Sequence, residues 1–262
     1  MIKFFRKIRQ RLLSESKFSK YLLYAIGEIA LVMIGILLAL QVNNWNELRK
    51  ERGREVGFLH GLKTDLLADQ RQLDYIIERR TEKVANAIAL LKEVPLRTHQ
   101  EVFAADSMIG RLFGWVEFVP QRNTFDELVS SGNLSIISND SIKNMLLGLK
   151  QLQDYDHTYS EHMRREFDHY LYDRSSKLRP AWPFGDLEAS FLADSLIQKD
   201  LSDKELAIVA QQTEALLYDL EVKNGLRLAA GNNIGLRQVN RNMLESIQDL
   251  IDLIDQDINS IK

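Results

Sequence analysis

The stretch from Lys20 to Glu47, KYLLYAIGEIALVMIGILLALQVNNWNE, constrains this chain more than any other. Between Tyr21 and Val42 it is apolar except for Glu28 and Gln41. A helix needs about 20 such residues to cross roughly 30 Å of hydrocarbon. Tyr21 and Tyr24 stand near one end and Trp45 just past the other, where interfacial aromatics belong. The run is apolar around its whole circumference, unlike a core helix with one greasy face. It is too long for the apolar region of a usual signal peptide, and LLALQVNN lacks a small-x-small cleavage site. The expectation is a retained transmembrane helix over residues 21–42.

Charge orients it. Residues 1–42 carry Lys3, Arg6, Lys7, Arg9, Arg11, Lys17 and Lys20 against Glu15 and Glu28. That net of +5 leaves −8 for the remainder of a chain whose formal charge is −3. A basic head suits anionic lipid headgroups. An acidic body does not suit a phosphate backbone, so nucleic acid is not an expected partner. The positive-inside bias places residues 1–20 in the cytoplasm and residues 43–262 outside it, partly offset by Arg49, Lys50, Arg52 and Arg54 beyond the span. Within the head, MIKFFRKIRQRLL puts Phe4, Phe5, Ile8 and Leu12 on one helical face. It reads either as a helix lying in the membrane interface or as a plain topogenic tail.

An acid in an apolar span needs a reason. On a helix, Ala25, Glu28, Val32, Gly35 and Ala39 form one stripe by 3–4 spacing. Gly35 and Ala39 are a small-xxx-small pair that lets another helix approach closely. A carboxylate facing lipid is costly, so Glu28 is expected to face protein, water or a cation. The stripe therefore reads as a contact with a second copy or with another membrane protein. The other reading has Glu28 near enough to the headgroups to pair with a lysine.

Three segments, MIKFFRKIRQRLL, KYLLYAIGEIALVMIGILLALQVNNWNE and TFDELVSSGNLSIISNDSIKN, resemble an uncharacterised family of single-pass membrane proteins from Gram-negative, Bacteroidota-type bacteria. The family is defined by domain of unknown function 6090. The resemblance implies an inner-membrane anchor with a periplasmic body, and it brings no activity and no catalytic residue.

The body reads as helical. Leu59, Leu62, Leu66, Leu73, Ile76, Ile77, Val84, Ile88 and Leu91 recur at steps of 3, 4 or 7, so the membrane helix is expected to continue as a stalk to about Glu93 before Pro95. Gly53 and Gly57 mark a possible joint. A helix is expected from about Gln100 to Trp115, and a brief one capped by Thr124 and Glu127 that stops at Gly132. NLSIISND reads as an extended connector. Asn139 or Asp140 then caps a long helix to Leu178. RPAWPFGD is the clearest break. Beyond it come a short helix over 186–199, a helix from Ser202 to about Gly225, and a last helix carrying Val239, Met243, Ile247, Leu250, Ile254, Ile258 and Ile261. The fold class is all-α: one N-terminal transmembrane helix, then an extracytoplasmic bundle of long antiparallel helices.

Chemistry is thinly signalled. In DYDHTYSEHMRREFDHYLYDR, His157 and Glu161 are four apart, as are His162 and Glu166, a spacing that suits a divalent metal. There is no His-Glu-x-x-His motif, and a charged amphipathic helix accounts for the same residues. GNNIGL lacks the phosphate-loop spacing and reads as a helix kink or a close helix contact. Ser130 and Ser131 lack a nucleophile-elbow pattern and read as a helix end. Trp115, Phe118, Trp182 and Phe184 read as end packing or a binding surface. With no cysteine there is no thiolate chemistry. The resulting expectation is an envelope interaction or scaffold protein, not an enzyme, with no cofactor and with membrane lipids among its partners. The alternative is an extracytoplasmic ligand-binding or sensing module that signals through a partner.

Overall fold

The computed structural model describes residues 18–92, 94–178 and 201–261. The basic head, the RPAWPFGD break, the expected helix over 186–199, Trp182 and Phe184 lie outside the described residues. All regular structure among the described residues is helical. The helices are α1 (Phe18–Leu90), α2 (His99–Phe113), α3 (Asn123–Ser130), α4 (Asp140–Phe167), α5 (Asp173–Leu178), α6 (Asp203–Tyr218) and α7 (Leu220–Ile261). A 3-10 turn covers Asn133–Ile136, and a π turn, Asp168–Tyr172, joins α4 to α5 without a break. The chain divides into two compact units, Met1–Gly57 and Phe58–Lys262. Helix α1 stays helical through Gly53 and Gly57.

In the first unit, α1 holds the one helix segment among the described residues that is long and apolar enough to cross a membrane, and none of its apolar window is buried. Its large apolar side chains from Leu22 to Val42 are exposed.

The second unit is built on three long helical stretches. Helix α7 runs antiparallel to both α1 and α4. Lys63 pairs with Asp255 and Gln70 with Gln248, while Asn240 meets Asp156 and Asn232 meets Glu166. Helices α1 and α4 run parallel, so α2, α3 and the turns between them form the crossing connection that parallel neighbours require. The buried residues of α1 follow a 3,4 alternation through 59, 62, 66, 69, 73, 76, 80, 83, 87 and 90. Helix α7 keeps the same rhythm from Val222 to Leu250, and α4 keeps it from Ile142 to Phe167. That period is the signature of left-handed, knobs-into-holes packing. Among the described residues two large apolar cores result, beside a small cluster of Val102, Leu201 and Val209. One joins Leu59–Ile76 of α1 to α3, the start of α4 and the end of α7. The other joins Ala87 and Leu90 to α2, the end of α4, the π turn, α6 and the start of α7.

Several ends are set locally. Thr98 and Ser202 each form a capping box, with Glu101 and Glu205 respectively, and Asn139 caps α4 through Ser141 N. Ser130 and Ser131 both bond the Glu127 carbonyl, and Gly132 ends the segment at φ 69°, a left-handed geometry that glycine adopts without strain. The connector after it is partly a 3-10 turn, with Ile137 fully buried.

Two expectations are corrected. Thr124 is not a cap: α3 starts at Asn123, and the Thr124 N–H donates to Asp65 Oδ2 on α1 at 2.9 Å. Asp69, one turn along, accepts Gln121 N–H at 2.7 Å. A neighbouring helix thus supplies the acceptors that a local cap would have given. Nor does a helix end near Gly225. The break falls at Asp219, whose backbone is extended and whose Oδ1 accepts the Glu221 and Val222 N–H groups that open α7. Arg174 holds the same carboxylate at 2.8 Å.

Gly225 lies inside α7 because the π turn leaves no space for a side chain. A Cβ there would meet Leu171 Cδ2 at 2.8 Å and Tyr170 Cβ at 2.9 Å. Gly225→Ala is expected to destabilise by about 1–3 kcal/mol despite its better helix propensity. Gly231→Ala, where a Cβ meets nothing within 4 Å, is expected to be neutral or to stabilise by up to about 1 kcal/mol. Urea midpoints of the two variants decide it; equal responses would show that the close approach at Gly225 is not real.

Candidate functional site

Between the two cores the heptad positions turn polar. Arg80 and Lys83 on α1, Gln153, Asp156 and Ser160 on α4, and Asn233 and Asn240 on α7 are all buried. Arg80 is 0% exposed and Asp156 1%. A charge taken out of water needs partners, and the helices supply some. Arg80 Nε donates to Asn240 Oδ1 at 2.8 Å, and Asn240 Nδ2 donates to Asp156 Oδ1 at 2.7 Å. Arg80 Nη1 reaches Asn233 Oδ1 at 3.4 Å, and Asn233 Nδ2 bonds the Ala229 carbonyl. Asn240 thus bridges a cation and an anion, which fixes its amide orientation. Burial holds the Asp156 carboxyl above its ordinary range, while Arg80 and Asn240 pull it back down.

Lys83 has different company. Its ammonium lies over the Trp115 ring at 5.7 Å and over the Phe167 ring at 5.5 Å. From the exposed side of the bundle, Arg164 stands over the same Trp115 ring at 5.8 Å. Burial first, then the like charges of Arg80 and Arg79, push Lys83 down to about 8. Four buried polar atoms here have no hydrogen-bond partner: Arg80 Nη2, Asp156 Oδ2, Ser160 Oγ and Trp115 Nε1. Most buried polar atoms in folded proteins are satisfied, so a cluster of exceptions calls for a reason.

The rim is also polar, and it holds the histidines whose spacing suited a divalent metal. His157 Nδ1 lies 3.0 Å from Glu117 Oε1 on the connecting segment. Its partner is thus across the bundle and not Glu161, one turn along its own helix. Glu161 is exposed on α4 and joins neither histidine in an ion pair among the described residues. His162 Nε2 does lie 3.4 Å from Glu166, as its spacing suggested. Glu166 is engaged a second time, accepting from Asn232 on α7 at 2.5 Å. His157, Glu161, His162 and Glu166 therefore do not converge on one point. The physical reason is that all four sit on one helix outside the buried rhythm, so neighbouring elements claim them separately. Among the described residues, no three His, Asp or Glu side chains are placed to hold a metal ion.

The remaining candidates fall as follows. Phe118 is buried in the first core and Trp115 packs against the second. On the membrane stripe, Ala25 and Glu28 are half-buried, and Val32, Gly35 and Ala39 are exposed. Reading apolar residues alone passed over Arg80, Lys83 and Asp156. The signal that finds them is phase. Arg80 and Lys83 occupy the 3,4 rhythm of α1 without interruption, and Asp156 and Ser160 do so on α4. Ile88, assigned to the stripe by its apolarity, falls out of phase and is 44% exposed.

Among the described residues, fold and site define an all-helical protein with one membrane-length apolar helix segment and a charged layer inside its bundle. The chain belongs to a family of unknown function, DUF6090, whose model matches residues 28–178, more than half of its length. No curated protein and no solved structure matches it. The matched span holds the α1 and α4 sides of the layer, and the α7 side lies beyond it.

Proposed function

We propose that this is a membrane-anchored envelope protein that acts by binding rather than by catalysis. In this reading residues 1–20 are cytoplasmic, residues 21–42 span a bacterial inner membrane, and the helical body is periplasmic. The observation that carries it is the bare apolar segment of α1, whose large apolar side chains from Leu22 to Val42 are exposed. Water does not tolerate so long an apolar surface, and lipid removes the penalty. The basic head supports the orientation. The Ala25, Glu28, Val32, Gly35 and Ala39 stripe supplies the contact for a second copy or another membrane helix, through which a scaffold role would run.

The test is membrane extraction and protease protection of a C-terminally tagged chain. Resistance to alkaline extraction, with the tag digested only after the outer membrane is opened, is the expected result. A tag protected in intact spheroplasts reverses the orientation. Glu28→Leu is expected to leave insertion intact and to reduce co-purification of a helix partner in mild detergent several-fold. An unchanged partner set removes Glu28 from the contact.

A second reading, a ligand-binding or sensing body, is favoured by one specific observation. The bundle interior holds two cations and several polar atoms without partners, where an apolar layer would be more stable.

A further inference from the structure

We propose that the body takes up a small oxyanion, a carboxylate or an inorganic oxyanion, in the basic half of the buried layer, held by Lys83, Arg80 Nη2, Ser160 Oγ and the Trp115 indole N–H. The inference deepens the ligand-binding reading and rests on it.

Donors outnumber acceptors at this place. Arg80 Nη2 and Trp115 Nε1 are buried donors with no acceptor, and Ser160 Oγ donates or accepts freely. Lys83, 2% exposed, adds an ammonium that forms no ion pair among the described residues. The charges are as uneven as the donors. Asp156 and Glu117 both face Arg80, whereas the charges acting on Lys83 are those of Arg80 and Arg79. One Asp156 oxygen is itself without a partner, and the Arg80 charge acts on that carboxyl. A bound cation would add to an existing excess of positive charge. A neutral ligand would leave that excess in place. An oxyanion neutralises it and accepts from several donors at once, the arrangement in which charge-assisted hydrogen bonds are strongest.

The surroundings suggest a route. Met163 and Phe167 are buried apolar residues on the same face of α4 as Ser160. Trp115 is half-buried on the connecting segment after α2, and the exposed Arg164 lies over its ring. Arg164 offers an outer cation on the way to Lys83, and the long side chains of both can shift without moving the helices.

The experiment is thermal unfolding of the full chain in detergent, followed by circular dichroism. Sodium acetate, nitrate and phosphate are compared with sodium chloride at matched ionic strength, alongside a panel of uncharged metabolites. At least one oxyanion is expected to give a saturable rise of about 3–6 °C at tenfold excess over its Kd. Lys83→Met should abolish the rise, Lys83→Arg should keep it, and Trp115→Phe should weaken binding several-fold while preserving the ring. Equal responses to all four salts, or a rise that survives Lys83→Met, overturns the proposal and leaves the orphaned atoms to bound water. A saturable rise with uncharged compounds alone overturns the anion assignment while sustaining the ligand-binding reading. Circular dichroism of each variant at low temperature separates lost binding from lost folding.

Discussion

Arg80→Ala is expected to lower the unfolding free energy of the body by about 3–5 kcal/mol at pH 7. The substitution removes the donors to Asn240 and Asn233 and takes from the buried Asp156 carboxyl the larger of the charges that stabilise its ionised form. The loss should be smaller in acid, and the sign follows from Asp156. Its folded pKa already lies above the unfolded value, so its contribution to stability declines as pH rises through the folded value. Without Arg80 that value rises further, and the deficit at pH 7 exceeds the deficit in acid. The double variant Arg80→Met/Asp156→Leu is not expected to recover the loss, because the fully buried Asn240 amide then loses both its donor and its acceptor. The neighbouring Arg79→Ala is the control. Arg79 pairs with Glu82 at a partly exposed site, and such a pair contributes about 0–1 kcal/mol. Urea unfolding at two pH values reads all of this. Similar costs for Arg79 and Arg80 would show that the layer carries no special energy.

Lys83→Met is expected to act in the opposite direction. At pH 7 the variant should be more stable than wild type by about 2–3 kcal/mol in ligand-free buffer. Burial beside Arg80 and Arg79 lowers the Lys83 ammonium from 10.5 to about 8. Below pH 8 both folded and unfolded chains carry the charge, and the folded one bears the desolvation penalty. Between about 8 and 10.5 the folded chain sheds its proton first, so wild-type stability climbs with pH toward that of the variant. Arg164, Trp115 and Phe167 also surround Lys83, and Asp156 and Glu117 act on the neighbouring Arg80. Parallel stability profiles of wild type and Lys83→Met from about pH 7 to 10 would remove Lys83 as the source.

The sequence carried some of this structure openly. Ser202 and Glu205 lie three apart, and Asn139 two before Ser141, so their caps form wherever the rest of the chain goes. The apolar run in α1 is legible because membrane-spanning length is a local property. Other features were present but coded differently. The heptad phase passes through Asp69, Arg80 and Lys83, and only a reading that follows phase over hydrophobicity finds them. Spacing alone did not assign partners: Glu161 stands one turn from His157, yet the histidine meets Glu117, because a shared helical face permits a pair without requiring it. The π turn was not legible, because it adds one residue to the rhythm of α4. After Phe167 the next buried position is Leu171, and no single residue announces that insertion.

By itself, then, the sequence determined that the chain is helical, that one stretch is long and apolar enough to span a membrane, and where several helices start. Those outcomes depend on propensity, hydrophobicity and hydrogen bonds within about four residues. Only the tertiary structure decided that Asp65 and Asp69 would replace a local cap at α3, that α7 would begin at Asp219, and that His157 would turn to Glu117. It alone set Arg80 against Asn240, 160 residues away. Such pairings are chosen when three helices settle into register, and burial then makes every unpaired polar atom expensive. That energy does not exist until the helices meet.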